Sequence, residues 1–171
     1  MRALVLLLPL VVLAGCGGPP VVTPVPTPTV TPVFASDEEA LAAAEEAYGA
    51  YLAAVDLSLA TGDGTGLRLV AEGNALEEAL DSVEGFIEKG EKLVGQSSFT
   101  SMTLISQAID GRLESYVCLD ISQADVVDAT GSSIVPPDRA SVYPMHLSFE
   151  FRSHGLLVSE SEVWDGENFC A

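Results

Sequence analysis

The chain has 171 residues, a formal net charge of −18 and an apolar fraction of 48%. A length of this order accommodates one domain with one hydrophobic core. Because 25 acidic residues stand against only seven lysines and arginines, the charge disfavours binding to nucleic acid or to anionic lipid head groups, which depend on neutralisation by basic residues.

The N-terminus has the pattern of an export signal. Arg2 supplies one positive charge, and an apolar run broken only by Pro9 extends from residue 3 to residue 13. This run is shorter than the roughly 20 apolar residues that a membrane-spanning helix needs. Small residues then precede a cysteine in the sequence Leu-Ala-Gly-Cys at 13–16. In these four residues the chain resembles bacterial lipoproteins, whose lipobox has the same order and ends in a lipid-modified cysteine.

The resemblance implies both the processing and the location of the chain. Residues 1–15 would be removed as a signal peptide, and the Cys16 thiol would receive a diacylglyceryl group with palmitate-type acyl chains. Two acyl chains anchor stably, because each buried methylene contributes about 0.8 kcal/mol. We therefore expect an envelope lipoprotein held on the extracytoplasmic face of the cell membrane. The alternative is an ordinary secretory signal in which the cysteine occurs by chance.

Residues 16–34 contain the lipidated cysteine and a linker rich in proline and threonine. Because proline lacks an N–H donor and fixes φ, the linker is predicted to be a polyproline II spacer, roughly 55 Å long when extended. A proline-motif ligand and a glycosylated Thr-Pro stalk are the alternatives. Residues 35–171 contain all the acidic residues and predict one globular domain. The negative charge of these residues is interpreted as favouring solubility. The alternative interpretation is that it attracts a positively charged partner.

Two long helices are predicted at the start of this domain. Ser36 begins the first, with Glu39 completing a capping box. Its apolar stripe has the spacing of a buried helix face and consists of Leu41, Ala44, Tyr48, Leu52, Val55 and Leu59. The glycine-rich segment 61–66 ends it, before a short helical piece. The second helix is predicted from Asn74 to Gly95, with a face formed by Leu76, Leu80, Val83, Ile87 and Val94.

The second half of the domain has the composition and turns of β-strands. Strands 99–109 and 112–121 are predicted to form a hairpin with its turn at Asp110–Gly111. A minor hairpin is predicted at 125–135 around Thr130–Gly131. Strands 142–152 and 156–164 are predicted to form a third hairpin around Gly155. In 142–152, alternation places one apolar set on the same face: Tyr143, Met145, Leu147, Phe149 and Phe151. His146, Ser148 and Glu150 lie on the other face.

Helices followed by antiparallel strands define the α+β class, here two long helices and a short one packed on a curved sheet of about four strands. This order of elements resembles the cone-shaped nuclear-transport-factor-2-like superfamily, which includes ketosteroid isomerases, SnoaL-like cyclases and many non-catalytic domains. The resemblance implies a ligand site in the pocket between helices and sheet, or on the open sheet face. None of the catalytic Asp, Tyr or His residues of the enzymatic branches is identifiable in this sequence.

Individual residues point weakly to a site. The candidates for lining a pocket are Tyr48, Tyr51, Tyr116, His146 and Trp164, since aromatic residues with polar tips suit ligand binding, although Tyr48 fits the helix core equally well. His146 is the best acid–base candidate by residue type, but alternation places it opposite the apolar face of its strand, towards solvent or a second layer, so no catalytic role is assigned to it. His146 and His154 lack metal-ligand spacing, and Asp63 in its glycine-rich loop lacks the further carboxylates of a calcium loop. No metal, cofactor or catalytic residue is predicted.

Two cysteines remain in the exported domain, Cys118 and Cys170, and only one pairing is available to them. A disulfide is predicted, which would hold the C-terminal tail to the sheet on the face opposite Leu113, Val117 and Leu119. Two separate free thiols are the alternative.

These observations favour a non-enzymatic, membrane-anchored lipoprotein that displays a domain for binding a protein partner or a small ligand. The alternative is an isomerase or cyclase of the cone fold, with a pocket between helices and sheet. An open interior with a buried carboxylate of raised pKa would favour the enzyme, and an interior filled by apolar side chains would favour binding.

Overall fold

The computed structural model describes residues 31–170, so the signal, Cys16 and most of the linker lie outside the described residues. The predicted α+β class is confirmed. The elements in chain order are α1 (Asp37–Thr61), a 3-10 helix (Thr65–Leu69), α2 (Gly73–Lys89), β1 (Lys92–Gly95), β2 (Ser98–Gln107), β3 (Leu113–Asp120), β4 (Ala124–Val127), β5 (Val142–Arg152) and β6 (Gly155–Val163).

The first helix begins where its capping residues predict. The Ser36 side chain accepts a hydrogen bond from the Glu39 backbone N–H at 3.2 Å, and the Glu39 carboxylate accepts one from the Ala35 N–H at 2.8 Å. Both bonds satisfy backbone donors that have no partner inside the helix. The helix ends at Gly62, which has the left-handed conformation with φ 77°.

The predicted end of the second helix is wrong. α2 ends at Gly90, which has φ 68°, and not at Gly95. Val94 therefore belongs to β1 and is exposed, as is Ile87 near the end of α2. Glycine adopts the left-handed conformation without steric cost, so the first suitable glycine after the helix ends it.

The main sheet has four antiparallel strands, the number that the sequence predicts, in the order β2-β3-β5-β6, while β1 and β4 form a separate two-stranded sheet. The last strand, β6, pairs with β5, so the expectation that it runs beside the strand holding Cys118 is wrong. The predicted minor hairpin at 125–135 is present, since the Asp128 N–H donates to the Ser132 carbonyl oxygen and the Ile134 N–H to that of Val126, and residues 124–127 pair in addition with β1. Its predicted turn is present, with Gly131 at φ 82° and one isolated bridge between Val127 and Ser133. Arg139 fixes the start of β4 by donating to the carbonyl oxygens of Ile121 and Ala124.

The hydrophobic core lies between the helices and one face of the main sheet. Its fully buried members include Ala44, Tyr48, Leu113, Val117, Leu147, Phe149 and Val158. Phe34, the last residue assigned to the linker, is also buried in it. Phe151 lies on the predicted apolar face and packs edge-on against Phe34, but it is 39% exposed because it is near the end of β5.

A membrane-spanning helix would need to be long and apolar, and none of the helices within residues 31–170 meets both conditions.

Candidate functional site

The outer face, defined as the face of the main sheet opposite the core, is built from the alternate residues of its strands. Tyr116 on β3 lies directly beside His146 on β5, and Glu162 on β6 lies on the other side of His146. The neighbours of Tyr116 along β3, Ser115 and Val117, are fully buried in the core. Because successive side chains in a strand point to opposite faces, Tyr116, His146 and Glu162 share the outer face.

Four rings meet on this face, and we refer to Tyr116, His146, Trp164 and Phe169 as the aromatic cluster. Tyr116 is its centre, with ring centroids 4.8 Å from Trp164, 5.3 Å from Phe169 and 5.6 Å from His146. The ring planes are inclined by 44–59°, within the tilted arrangements that aromatic pairs favour. Phe169 is 41% exposed, and the cluster therefore forms a surface and not a second core.

The C-terminal tail completes this cluster. The Trp164 backbone N–H donates to the Pro144 carbonyl oxygen at 2.8 Å and so continues the edge of the sheet beyond β6. Cys170 forms a disulfide with Cys118, and the two Cα atoms are 5.6 Å apart. The predicted bridge is thus present, and it returns the tail to β3, where Phe169 contacts Tyr116.

Carboxylates lie next to the aromatic cluster. Glu114, Ser148 and Glu160 form a row across β3, β5 and β6. Ser106 donates to the Glu114 carboxylate at 3.2 Å, and Ser148 donates to the Glu160 carboxylate at 2.8 Å. A shallow cavity of about 250 Å³ is lined by the three residues of this row together with Arg112, Leu113, Phe149, Glu150 and Ser159.

Two of the five predicted pocket residues lie elsewhere. Tyr48 and Tyr51 are buried in the core on α1, with their rings stacked at 6.0 Å, and so do not share a surface with Tyr116, His146 and Trp164. Burial raises the pKa of the Tyr48 hydroxyl well above its ordinary value. Burial, with a smaller contribution from the charge of Glu78, raises the pKa of Tyr51 to about 12.

The remaining candidates have local roles. Asp63 accepts a hydrogen bond from the Thr65 backbone N–H at 3.0 Å, which lowers the pKa of its carboxyl group and stabilises the loop. His154 is exposed in the turn between β5 and β6. Within residues 31–170, the side chains of His, Cys, Asp and Glu form no group of three or more that could hold a metal ion.

Sequence reasoning missed Phe169 and the carboxylate row. The position of Phe169 could have been inferred from the predicted disulfide, because a residue beside Cys170 must lie near β3 once Cys170 is bonded to Cys118. The carboxylate row depends on strand register, which one-dimensional alternation does not supply.

Comparison with known proteins gives a likeness of fold. No protein-family model matches the chain, and no curated protein sequence matches it. The chain is similar to the intermembrane-space region of the chloroplast protein ARC6, at 15% identity and a TM-score of 0.48 over 72% of this chain and 95% of that one. It is also similar to Aln2 from a Streptomyces species, at 17% identity and a TM-score of 0.47 over 75% of this chain and 90% of that one. Both likenesses concern the fold alone.

Proposed function

We propose that the protein is a lipid-anchored envelope lipoprotein that binds a protein partner through the outer face of its sheet and catalyses no reaction. The observation that carries the proposal is the aromatic cluster, four rings gathered on an open sheet face beside the carboxylates of Glu114 and Glu160. Aromatic residues are enriched at protein interfaces, where they supply contact area at low entropic cost. The domain is assigned to the nuclear-transport-factor-2-like superfamily on its order of elements.

The anchor is proposed from the lipobox that ends at Cys16. The point where the linker joins the domain fits this arrangement. Val33 lies against Gly111, in the turn between β2 and β3, and the Phe34 ring packs against Phe151 near the end of β5. The step from Phe151 to His146 along β5 is five residues, roughly 16 Å at about 3.3 Å per residue. The linker therefore joins the domain at a point displaced along the sheet from the aromatic cluster, and it leaves the cluster free for a partner.

A binding role is supported over a catalytic one by the way the interior is filled. Between the helices and the sheet, where the resemblance would place a substrate pocket, Tyr48, Leu113, Leu147 and Phe149 are packed together. Ser115, the one hydroxyl on the buried face of β3, is fully buried among them. An isomerase or cyclase would need this volume for its substrate.

Site-specific photo-cross-linking in living cells tests the proposal with the full chain. A photoreactive residue replaces Thr103, the exposed neighbour of Tyr116 on the outer face, or Ser82, an exposed residue of α2 that serves as the matched control. We expect one protein to cross-link from position 103 and not from position 82. That protein, once purified, should bind the intact lipoprotein, and Trp164→Ala should weaken the binding. Identical products from both positions, or no product from 103, would overturn the proposal.

A further inference from the structure

We propose that the segment bound by the outer face is cationic, with lysine or arginine side chains lying on the aromatic cluster and their charges beside Glu114, Glu160 and Glu162. This inference rests on the proposed function, because it names the chemistry of the partner for the same face. Three properties of the molecule support it: the balance of charge on the face, the geometry of the rings, and the charge of the other occupants that an open face could take.

The first property is the balance of charge. Among residues 31–170, the ion pairs are Arg112 with Asp110, and Arg152 with Glu72 and Glu150. The carboxylates of Glu114 and Glu160 are held instead by the serine hydroxyls of the neighbouring strands. A hydroxyl contributes no positive charge, and Arg112, which lines the same cavity as Glu114 and Glu160, is paired with Asp110. With Glu162, these carboxylates therefore leave a net negative charge on the face. A cation from outside the domain is the complement to this field.

The second property is the geometry of the rings. The ring centroids of Tyr116, Trp164 and His146 lie within 6.3 Å of one another. Glu162 is the neighbour of His146 on β6, so a further carboxylate lies directly beside the rings. A lysine or arginine can pack its aliphatic stem on aromatic surface while its charged head reaches a carboxylate. A cation within about 6 Å of a tryptophan or tyrosine ring is also attracted by the ring itself. The cavity beside the row, about 250 Å³, falls below the range of small-molecule pockets and suits single side chains.

The third property is the negative charge of the chain, which repels the other molecules that could cover an open sheet face. A second copy of this chain would bring its own formal charge of −18, and the same charge repels anionic lipid and nucleic acid. A basic segment of a protein is the occupant that this charge attracts.

Binding of octalysine to the full lipidated chain in phosphatidylcholine vesicles tests the inference directly. Trp164 is the single tryptophan of the chain and lies in the cluster, so its fluorescence reports on the site itself. We expect a saturable change in Trp164 emission with octalysine and none with octaglutamate. Raising the salt concentration from about 50 mM to about 500 mM should weaken binding by about tenfold or more. No saturable change with octalysine would overturn the inference.

Two matched triple variants distinguish binding of octalysine at the outer face from attraction by the total charge of the chain. The first changes Glu114, Glu160 and Glu162 to glutamine, and the control changes three exposed glutamates of α2 to glutamine: Glu77, Glu84 and Glu88. Both remove the same charge. We expect the first to weaken octalysine binding about tenfold or more and the control by about twofold or less. Equal weakening by both would overturn the inference, and circular dichroism verifies that each variant is folded.

The failure of this inference can be told apart from the failure of the proposed function. If octalysine leaves Trp164 unchanged while position 103 still cross-links one partner that purified protein binds, the cationic chemistry is wrong and the binding function stands. If octalysine binds as expected while position 103 cross-links no protein, the protein-binding function is wrong and the cationic site stands.

Discussion

Neighbouring residues along β5 have different roles, because a shift of one residue moves a side chain from the core to the outer face. Leu147 is fully buried, and its neighbours His146 and Ser148 are part of the surface that carries the proposed function. Each of these residues could be assigned to its face from alternation alone, since the strand period is two. The exception is Phe151, where the strand runs beyond the core and alternation no longer implies burial.

Leu147→Ala should lower the free energy of unfolding by about 2–5 kcal/mol, because it removes buried methyl groups and leaves a cavity. Leu57→Ala on α1 is the matched control, since Leu57 is 63% exposed and its loss should cost about 0.5 kcal/mol or less. Urea unfolding followed by circular dichroism measures both. Comparable losses in the two variants would show that β5 is assigned to the wrong face.

The raised pKa of Tyr51 predicts a loss of stability at alkaline pH. Its pKa is about 12 in the folded chain against 10.0 ordinarily, so between these values the unfolded chain releases a proton that the folded chain retains. The stabilisation is complete below pH 10 and is lost as the pH rises towards 12. From about pH 8 to about pH 11, Tyr51→Phe should therefore lose about 1.4 kcal/mol less stability than the unchanged chain. Equal losses in urea unfolding would refute this pH dependence.

At the scale of elements, glycine positions set where α2 ends and how β1 pairs with β4. Gly90 ends the helix, and Gly95 then brings β1 against the backbone of Gln123. A Cβ atom at position 95 would lie 1.9 Å from the Gln123 carbonyl oxygen, so glycine is needed there for space as well as for its φ of 86°. The small sheet therefore depends on a glycine that the sequence pattern alone assigns to a helix end.

Gly95→Ala should cost more stability than Gly131→Ala. Both glycines have positive φ, 86° and 82°, but position 131 has open space where a Cβ would lie. Gly131→Ala should cost about 1–2 kcal/mol from backbone strain alone, and Gly95→Ala about 2 kcal/mol or more beyond that, because the strands must move apart. Thermal and urea unfolding give the two values. Equal costs would mean that the approach of Gly95 to Gln123 is not as close as described.

The disulfide joins β3 to the C-terminal tail, which is otherwise held to the sheet by noncovalent contacts. Thiol titration of the denatured, unreduced protein should find neither Cys118 nor Cys170 reactive. Reduction should lower the free energy of unfolding by up to about 4 kcal/mol, the chain-entropy value for a loop of this length. It should also change Trp164 emission as the tail is released. A Cys118→Ala/Cys170→Ala variant controls for other effects of the reductant, and two reactive thiols would disprove the pairing.

At the scale of the whole molecule, the position where the linker joins the domain bears on the proposed anchor. The linker meets the sheet beside Gly111 and Phe151, and the aromatic cluster lies further along the same strands. A chain with a formal charge of −18 is repelled by anionic head groups. If the proposed anchor is present, this repulsion favours contact of the outer face with proteins over contact with the membrane surface.

Cys16→Ala should abolish fatty-acid labelling of the chain in the cells that make it, because the lipid is expected on that thiol. Metabolic labelling with a palmitate analogue measures this, and fractionation should show the variant no longer anchored by lipid. Cys118→Ala is the control, since it removes a thiol from the domain without touching the lipobox. Labelling of the Cys16 variant at the level of the unchanged chain would refute the lipoprotein assignment.

Local sequence patterns were enough to predict the helix start at Ser36, the four strands of the main sheet, the buried face of β5 and the pairing of Cys118 with Cys170. These follow from capping, period-two alternation and the number of cysteines, which are properties of the chain read in one dimension. The three-dimensional fold was needed to show that Tyr48 and Tyr51 lie in the core while Tyr116, His146 and Trp164 meet Phe169 outside it. That division depends on strand register and on the path of the tail, because both join residues distant along the chain.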